Sequence, residues 1–298
     1  MTKKILVIYY TQSGQLQHIV DKFSIPFLKE NIDVEILPIF PKTDFPFPWT
    51  SNHFFDVMPE SVMGVPVALA PFELRHTKYD LVVFAYQPWF LSPSIPATSI
   101  LFHPTIKPLL ENTPVITIIG ARSLWIRAQE KIKHILKEAN AKLVGNIVLT
   151  DKHDNFVSMI TMMHWMFTGR KSRFLGFFPT PGITKLDVSN TILYGEIANK
   201  HLLLNDWKGL QEEFILNRAV EVKTNLMFVE AKLSKIFSVW ASTIIKRKNR
   251  KIWIMTFKYY LLIVFFIIIP ILLGFYNLFC RPFLSNSTKR KKAGYLGL

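Results

Sequence analysis

The stretch Lys4–Leu16, KILVIYYTQSGQL, decides the fold. It contains five apolar residues that favour β-structure, Ile5–Tyr9, and continues into a turn rich in hydroxyl groups and glycine. Apolar spacing from about Gln15 onward predicts an amphipathic helix. A strand, a short loop and a helix in this order direct the free backbone N–H groups of the helix N-terminus, with the Thr11 and Ser13 hydroxyls, at one point. This arrangement favours a phosphate group as ligand.

The chemistry of the loop narrows the choice of nucleotide. Gly14 is its single glycine and no lysine follows it, which excludes the dinucleotide fingerprint GxGxxG and the phosphate loop GxxxxGK[ST]. Thr-Gln-Ser-Gly instead resembles the phosphate loop of flavodoxin-like proteins, [ST]-x-[ST]-G-x-[ST], in which hydroxyls and backbone amides hold the phosphate of FMN. The resemblance implies that FMN is bound by Thr11, Gln12, Ser13, Gly14, Gln15 and Leu16, with Leu16 in place of the last hydroxyl. The alternative is an ordinary turn that binds nothing.

Further apolar runs resemble strands that are buried on both faces. They are Val34–Ile39, Leu81–Tyr86, Val115–Ile119 and Leu143–Leu149. Helical patterns fall between them, most clearly at Trp125–Ala139. We therefore predict an α/β protein with a doubly wound, five-stranded parallel sheet, in the order 2-1-3-4-5 if it is flavodoxin-like. Residues 1–205 are assigned to this domain, with an insert at 41–78.

Two loops should meet the phosphate loop at the carboxyl edge of the sheet. Pro88 stiffens the loop after the third strand, where aromatic side chains could stack on a flat ring. The loop after the fourth strand again begins with glycine and continues with polar groups. These loops predict further flavin-binding residues: Gln87, Pro88, Trp89 and Phe90 in the first, and Gly120, Ala121, Arg122 and Ser123 in the second. Core or lid packing of the aromatic residues is the alternative.

Four longer stretches carry a more specific resemblance than the phosphate loop. They are FPFPWTSNHFFDVMPESVMG (Phe45–Gly64), YQPWFLSPSIP (Tyr86–Pro96), GARSLWIRAQEKIK (Gly120–Lys133) and AKLVGNIVLTDKHDNFVSMITMMHWMFTG (Ala141–Gly169). Together they resemble the flavodoxin-like proteins of bacterial dialkylresorcinol biosynthesis, often labelled dialkylresorcinol condensing enzyme. The resemblance covers about residues 3–200.

This resemblance implies a place beside a ketosynthase-type enzyme. The ketosynthase joins two acyl chains into an alkyl cyclohexanedione, and the flavodoxin-like protein would oxidise that ring to the aromatic resorcinol with FMN. The family label says condensation, but acyl condensation needs an activated thiol. The single cysteine, Cys280, lies in an apolar C-terminal stretch. We therefore expect a flavin-dependent oxidoreductase, and keep a non-catalytic electron carrier or a membrane scaffold for the ketosynthase as the alternative.

Aromatisation removes two electrons, which suits hydride transfer to a flavin together with a base that takes the second hydrogen as a proton. Candidate acid–base groups are Tyr86 at the end of the third strand, and Asp151 and His153 after the fifth. A histidine between carboxylates can be oriented by them and have its pKa raised. The alternative is a solvated turn in which Asp154 or Asn155 caps the next helix.

Two aromatic segments suggest an apolar substrate. The insert is rich in proline and aromatic residues, and Thr50 or Ser51 should cap a short helix over Asn52–Met58. It is interpreted as a lid over an alkyl-bearing substrate or as packing against the domain. Phe156–Phe167 is rich in methionine, which adapts to irregular shapes. It could line a lipid-accommodating tunnel, touch a bilayer, or be core.

The basic charge belongs to the C-terminal part of the chain. The last acidic residue is Glu230; residues 1–230 hold 23 basic and 21 acidic side chains, and the remaining 68 hold 13 basic and none acidic. The near-neutral domain argues against an electron carrier, which should be acidic around its flavin. The basic residues bracket the uncharged stretch Tyr259–Cys280, which is long enough to cross a bilayer. We predict no nucleic-acid partner but attachment to a membrane with anionic lipids.

The organisation of this C-terminal part is predicted in three pieces: a long amphipathic helix at 206–250, an apolar anchor at 251–281 and a basic tail at 282–298. Pro270 and Gly274 leave open whether the anchor spans the bilayer or re-enters. The expected location is the bacterial inner membrane, with the domain facing the cytoplasm. No N-terminal signal and no metal site are expected. A homodimer is left open.

Overall fold

The predicted strands form one parallel sheet. The computed structural model describes residues 2–30, 32–269, 271, 274 and 285–298. Its sheet strands are β1 (Lys4–Tyr9), β2 (Asp33–Pro38), β3 (Leu81–Tyr86), β6 (Pro114–Ala121) and β7 (Lys142–Thr150), with β4 (Pro88–Trp89) and β5 (Ser92–Pro93) in a separate small hairpin. The sheet order is β2-β1-β3-β6-β7, which is 2-1-3-4-5 when only its own strands are counted. The flavodoxin-like fold class is therefore confirmed.

Helices cover both faces of this sheet. They are α1 (Gln15–Lys29), α2 (Ser51–Asp56), α3 (Met58–Met63), α4 (Ile95–Leu101), α5 (Lys107–Leu110), α6 (Ile126–Glu138), α7 (Asn155–Thr168), α8 (Lys185–Leu204), α9 (Leu210–Leu216), α10 (Thr224–Ile245), α11 (Arg250–Ile263) and α12 (Ser285–Leu296). Alternate residues of β1 pack into different cores: Leu6 and Ile8 join α4 and α6, while Ile5 and Val7 join α1, α8 and α9. This two-sided burial explains why the strands are apolar throughout.

The insert folds as a cap over the carboxyl edge of the sheet. Thr50 caps α2 as predicted, because its Oγ1 accepts the backbone N–H of His53 at 3.2 Å. The following helix, α3, is fixed to the β4–β5 hairpin by Ser61, whose hydroxyl donates to the Trp89 carbonyl at 3.0 Å. The insert is thus held directly above the loop that follows β3.

The prediction of one amphipathic helix over 206–250 is wrong. Residues 217–223 interrupt it, and the first piece, α9, belongs to the sheet domain. Phe214 of α9 is fully buried against Gly145 of β7, where an added Cβ would lie 2.7 Å from the phenyl ring. The backbone N–H of Val148 then donates to the Ala219 carbonyl at 2.7 Å. The small residue on β7 therefore draws this segment into the core.

The second piece, α10, packs beside α11, which continues into a π-helical turn at Val264–Ile268. Within the described ranges, Arg250–Ile268 is the one helical stretch long and apolar enough to cross a membrane, with a mean hydropathy of 1.8. The predicted kink at Pro270 and the end of the predicted anchor at 275–281 lie outside the described residues. Within the predicted basic tail, Ser285–Leu296 forms α12.

Candidate functional site

The loop after β1 leads into α1, whose N-terminus is not capped by a side chain. Gly14 is the N-cap of α1 with φ of 79°, in the left-handed region that favours glycine, and no side chain caps the helix. A Cβ added at Gly14 would have no atom within 4 Å. The first backbone N–H groups of α1 are therefore open toward the cleft, as an anion site requires.

Unpaired polar atoms surround this N-terminus. The Thr11 hydroxyl, Nε2 of Gln12 and Nε2 of Gln87 are buried without a hydrogen-bond partner. Leaving such a group unpaired costs about 1–3 kcal/mol. The three groups can all donate, as a phosphorylated, oxygen-rich ligand needs. The donor set of these loops therefore fits FMN, and the predicted loss of one hydroxyl at Leu16 does not leave the loop without donors.

A cleft of about 170 Å³ lies at this point. It brings together the three predicted loops, through Gln12, Ser13, Gln15, Leu16, Gln87, Pro88, Trp89, Gly120, Ala121 and Arg122. Side chains of the insert and α7 close it from above: Phe47, Met162, Trp165 and Met166. Ligand pockets usually measure about 300–1,000 Å³. The cleft therefore has room for the polar part of a flavin nucleotide, and the ring needs adjoining space.

That space is an apolar cavity of about 460 Å³ on the other side of Trp89. The cavity and the cleft share five residues: Gln12, Pro88, Trp89, Arg122 and Met166. Its walls come from the insert (Trp49, Phe54, Phe55), from the hairpin (Phe90, Leu91), from α7 (Met159, Met163, Phe167) and from α10, α11 and the π turn (Phe237, Leu261, Leu262, Phe265, Phe266). The predicted Phe90 thus faces the apolar cavity rather than the cleft.

The hairpin between the two cavities holds a strained backbone. Phe90 and Leu91 have φ of 48° and 60°, and both are bulky residues in the left-handed region. Each such residue costs about 1–3 kcal/mol and persists where its surroundings hold it in place. Glycine is the residue that suits such a turn. Here the side chains of Phe90 and Leu91 form part of the cavity wall, which glycine could not provide.

Trp89 stands in an aromatic cluster at the boundary of the cavities. Its ring centroid lies 5.1 Å from that of Phe45, 5.4 Å from that of Trp49 and 6.0 Å from that of Tyr10, each in an edge-to-face arrangement. The indole N–H of Trp49 donates to Oε1 of Gln12 at 2.9 Å. The insert is therefore connected to the phosphate loop itself, a contact that the sequence did not reveal.

Arg122 is the cation at the junction of the cavities. It is the only charged side chain among the described residues that line the cleft. Its Nη1 donates to both the backbone carbonyl and Oδ1 of Asn155, each at 2.9 Å, which fixes the guanidinium against the start of α7. Burial lowers the pKa of Arg122 to about 10, and the charge of Asp151 partly offsets this effect. The guanidinium stays charged at neutral pH and can pair with an anionic oxygen. Ser123, in contrast, donates its hydroxyl to Asn155.

The structure does not bring the three predicted acid–base residues together in the cleft. Tyr86 is fully buried and donates its hydroxyl to Gln129 at 2.8 Å, away from the cleft lining. Burial, and then the charge of Glu230, raise the pKa of Tyr86 well above its usual value. Tyr86 is thus a core residue, and the prediction that it moves protons at the site is corrected.

Asp151 organises the backbone around the cleft. Its Oδ1 accepts the backbone N–H of His153 at 3.0 Å, and Oδ2 accepts the Ser158 hydroxyl at 2.9 Å and the Gly182 N–H at 3.2 Å. Both oxygens are occupied in a fully buried position, which suits a structural role better than a catalytic one. Asp154 caps α7 through the N–H of Phe156, as the alternative interpretation of this turn stated. His153 is half-buried and stands outside the lining of both cavities.

Glu230 of α10 is a buried carboxylate that the sequence analysis missed. It accepts the backbone N–H of Arg127 at 2.6 Å, in the first turn of α6. Burial raises the pKa of Glu230 to about 7, against the opposing effect of the N–H groups of Arg127, Ile126 and Trp125. The apolar spacing of α10 could not disclose it, because its partner lies 103 residues away. Glu230 joins a wall of the apolar cavity to the domain that forms the cleft.

Within the described ranges, no group of His, Cys, Asp and Glu side chains could hold a metal ion. Neither a family model nor a curated protein matches the chain. Among solved structures, the chain is similar to a flavoprotein from Lactobacillus acidophilus in complex with FMN (16% identity, TM-score 0.41, 49% of this chain and 93% of that one). It is also similar to an archaeal flavodoxin (10%, 0.38, 67% and 99%) and to a flavone reductase (12%, 0.37, 67% and 63%). These TM-scores are too low to support an argument from the neighbours. The flavodoxin-like fold is therefore identified by the strand order of the sheet.

Proposed function

We propose that this protein is an FMN-dependent oxidoreductase that aromatises an alkyl cyclohexanedione to a resorcinol at a membrane surface. One observation carries the proposal: a small cleft with unpaired hydrogen-bond donors opens, at Arg122, onto a larger apolar cavity. The first part suits the phosphate and ribityl oxygens of FMN; the second suits the flavin ring at the junction beside Trp89 and, beyond it, alkyl chains. The flavodoxin-like neighbours, one of them in complex with FMN, agree with the choice of cofactor.

Bound FMN would supply the hydride acceptor that aromatisation requires. Thr11, Gln12 and the N-terminus of α1 would hold the phosphate, while Gln87, Trp89 and the loop from Gly120 would face the ring. A 1,3-dione ionises readily as its enol, so its oxygen can reach the site as an anion. The Arg122 guanidinium would pair with that oxygen at the junction of the cavities.

Conversion of the ring to a resorcinol removes one hydride and one proton, so a base is needed as well. His153, whose backbone is fixed by Asp151, remains the proposed base; because it stands outside the lining of both cavities, it would take the proton through one intervening water. Aromatic and methionine side chains of the insert and α7 would exclude water from the reacting carbon. Unchanged turnover in His153→Ala would remove His153 from the mechanism.

The cellular setting is part of the same proposal. A ketosynthase-type enzyme would supply the dione, and a bacterial inner membrane with anionic lipids would hold the protein, with its domain in the cytoplasm. The apolar helix Arg250–Ile268 and the basic residues before it support membrane attachment.

The first test is a flavin spectrum of the purified full chain in detergent, before and after addition of FMN. We expect a yellow protein with bound-flavin absorbance near stoichiometric occupancy. A chain that stays colourless with added FMN contradicts every redox role. The second test supplies a synthetic alkyl cyclohexanedione anaerobically: bleaching of the flavin with resorcinol formation supports the enzyme. Bound flavin without resorcinol formation favours the electron carrier. If the protein neither binds flavin nor forms resorcinol, the membrane scaffold is the alternative that remains.

A further inference from the structure

The apolar stretch Arg250–Ile268 lies against the domain at both of its ends. At its start, Nη2 of Arg250 donates to both carboxylate oxygens of Glu60 in the insert, at 2.7 and 3.0 Å. Near its end, the ring of Phe266 stands 6.0 Å from that of Phe156 in α7. A 19-residue helix is about 28 Å long. The helix therefore runs along the domain over this length instead of leading away from it.

The opposite face of the helix is apolar and exposed. Its exposed side chains include Ile252, Met255, Tyr259, Ile263 and Ile267. Only 17% of the most apolar 18-residue stretch of this helix is buried. Soluble proteins rarely expose a continuous apolar surface of this kind. The run of Lys246, Arg247 and Lys248 directly precedes this helix, where cationic side chains can reach anionic headgroups.

The chain beyond the apolar region contacts the same domain. The carbonyl of Leu296 in α12 accepts the side-chain N–H of Gln211 in α9 at 2.8 Å. Tyr295 and Leu296 pack against the core on the α4–α6 face of the sheet. Since a single membrane crossing would place α12 on the far side of the bilayer, these contacts require both flanks of the apolar region to lie on one side.

The larger cavity lies between this helix and the cleft. Leu261, Leu262 and Phe265 form its wall on the helix side, and the methionines of α7 form the wall opposite. Two cations stand in its lining: Arg122, which is shared with the cleft, and Lys258, whose ammonium lies 5.9 Å from the ring centroid of Phe55. Most of the cavity wall is thus apolar, with one cation, Arg122, at the junction with the cleft and a second, Lys258, on α11.

We propose that α11 lies in the plane of one leaflet, and that the cavity behind it takes the hydrocarbon chain of an anionic amphiphile directly from that leaflet. The chain occupies the apolar walls while the anionic head reaches Arg122. Assigning the amphiphile as substrate rests on the proposed function. Binding of the hydrocarbon chain can be measured without turnover, so the proposal for the cavity and the proposed function can fail separately.

The test of the cavity uses the full chain in phosphatidylcholine–phosphatidylglycerol vesicles with a fatty acid that carries a photoreactive diazirine near its methyl end. We expect crosslinks to α7, at peptides containing Met159 or Met163. Leu262→Trp narrows the cavity and should reduce these crosslinks at least fivefold. The neighbouring variant Ile263→Trp is the matched control, because Ile263 is exposed on the outer face, and should leave them unchanged.

Flavin absorbance in the same samples separates the outcomes. Crosslinks to α7 that depend on Leu262 support the cavity whether or not flavin is bound. Crosslinks confined to the outer face of α11, or equal in both tryptophan variants, overturn it. Loss of flavin with retained α7 crosslinks would contradict the proposed oxidoreductase alone.

The test of the one-sided attachment uses single cysteines in a Cys280→Ser background. Ser238→Cys marks the exposed side of α10, and Ala293→Cys marks α12. The protein is added to preformed vesicles and treated with a membrane-impermeant maleimide. We expect equal labelling at both positions before detergent is added. Labelling at Ala293→Cys that needs detergent shows a crossing of the bilayer and overturns the in-plane arrangement.

Discussion

The cleft and the apolar cavity meet at Arg122 and share five lining residues, but most of the remaining lining of each comes from different parts of the chain. The cleft comes from loops that any flavodoxin-like sheet presents at its carboxyl edge, and its lining holds unpaired donors. The cavity comes from elements added to that sheet: the insert, α7, α10 and α11. The difference teaches that the fold provides a nucleotide-type site, while the additions determine which molecule can stand beside it.

The largest expected effect concerns Glu230, which holds the added wall to the sheet domain. Its pKa is raised to about 7 in the folded protein from about 4.5, so protonation favours the folded state. The stabilisation is complete below pH 4.5 and is lost as the pH rises through 7, by about 3 kcal/mol. Urea unfolding between pH 5 and pH 8 should show this decline in the wild type, and Glu230→Gln should flatten it.

A matched control for Glu230 is Glu212→Gln on the exposed side of α9, which should leave the pH dependence as it is. If cavity and cleft are independent units, binding of the photoreactive fatty acid should fall with pH before flavin is released. Equal pH slopes in the wild type and Glu230→Gln would contradict the role given to this carboxylate.

The next effect distinguishes substrate binding from cofactor binding at Arg122. Hydrogen bonds to a charged group are worth about 1.5–3 kcal/mol, or roughly 10- to 150-fold in kcat/KM. We expect Arg122→Met to lower kcat/KM for the cyclohexanedione by this factor, and Arg122→Lys to restore part of it. Bound flavin, followed by absorbance, should be retained. Arg75→Met, on the exposed edge beside Asp33, serves as control; full activity in Arg122→Met would exclude the ion pair with substrate.

A smaller effect tests the cleft alone. Gly14→Ala places a Cβ in the left-handed region, which costs about 1–2 kcal/mol and disturbs the N–H groups of α1. We expect FMN affinity, measured by fluorescence titration of the apoprotein, to weaken roughly 5- to 30-fold. Gly209→Ala is a matched control, since Gly209 also caps a helix with φ of 83° and open space around it. Equal losses in both variants would indicate general destabilisation instead.

The smallest effect tests the contact between insert and phosphate loop. Trp49→Phe keeps an aromatic ring beside Trp89 but removes the hydrogen bond to Gln12. A single neutral hydrogen bond contributes about 1 kcal/mol. We expect FMN to dissociate about fivefold faster in stopped-flow measurements, with little change in fatty-acid crosslinking. An unchanged dissociation rate would mean that the insert does not help to close the cleft.

The sequence predicts the sheet well because burial on both faces leaves an uninterrupted apolar signal. All five strands, the start of α1 at Gln15 and the Thr50 cap follow from local patterns of this kind. The grouping of three loops at one edge follows from parallel topology alone. These features depend on residues that are close in sequence or on the strand order.

Other features depend on contacts that no local pattern contains. The helix over 206–250 is interrupted because Phe214 packs against Gly145 on β7, where a side chain would leave no room for it. A single glycine in a strand does not indicate which residue packs against it. Tyr86 ends its strand at the ligand edge, as predicted, yet its hydroxyl turns to Gln129 in the core. Asp151 follows its strand at the predicted position, but its carboxylate accepts a hydrogen bond from the backbone N–H of Gly182.

The contacts of α9 with β7 have a consequence for self-association. β7 is an edge strand, and its outward N–H groups at Asn146 and Val148 are taken by the Gln211 side chain and the Ala219 carbonyl, both at 2.7 Å. An edge satisfied in this way offers a second sheet no ladder to extend. A continuous sheet across two copies of the chain could therefore not form at this part of β7, and a dimer would have to use another surface.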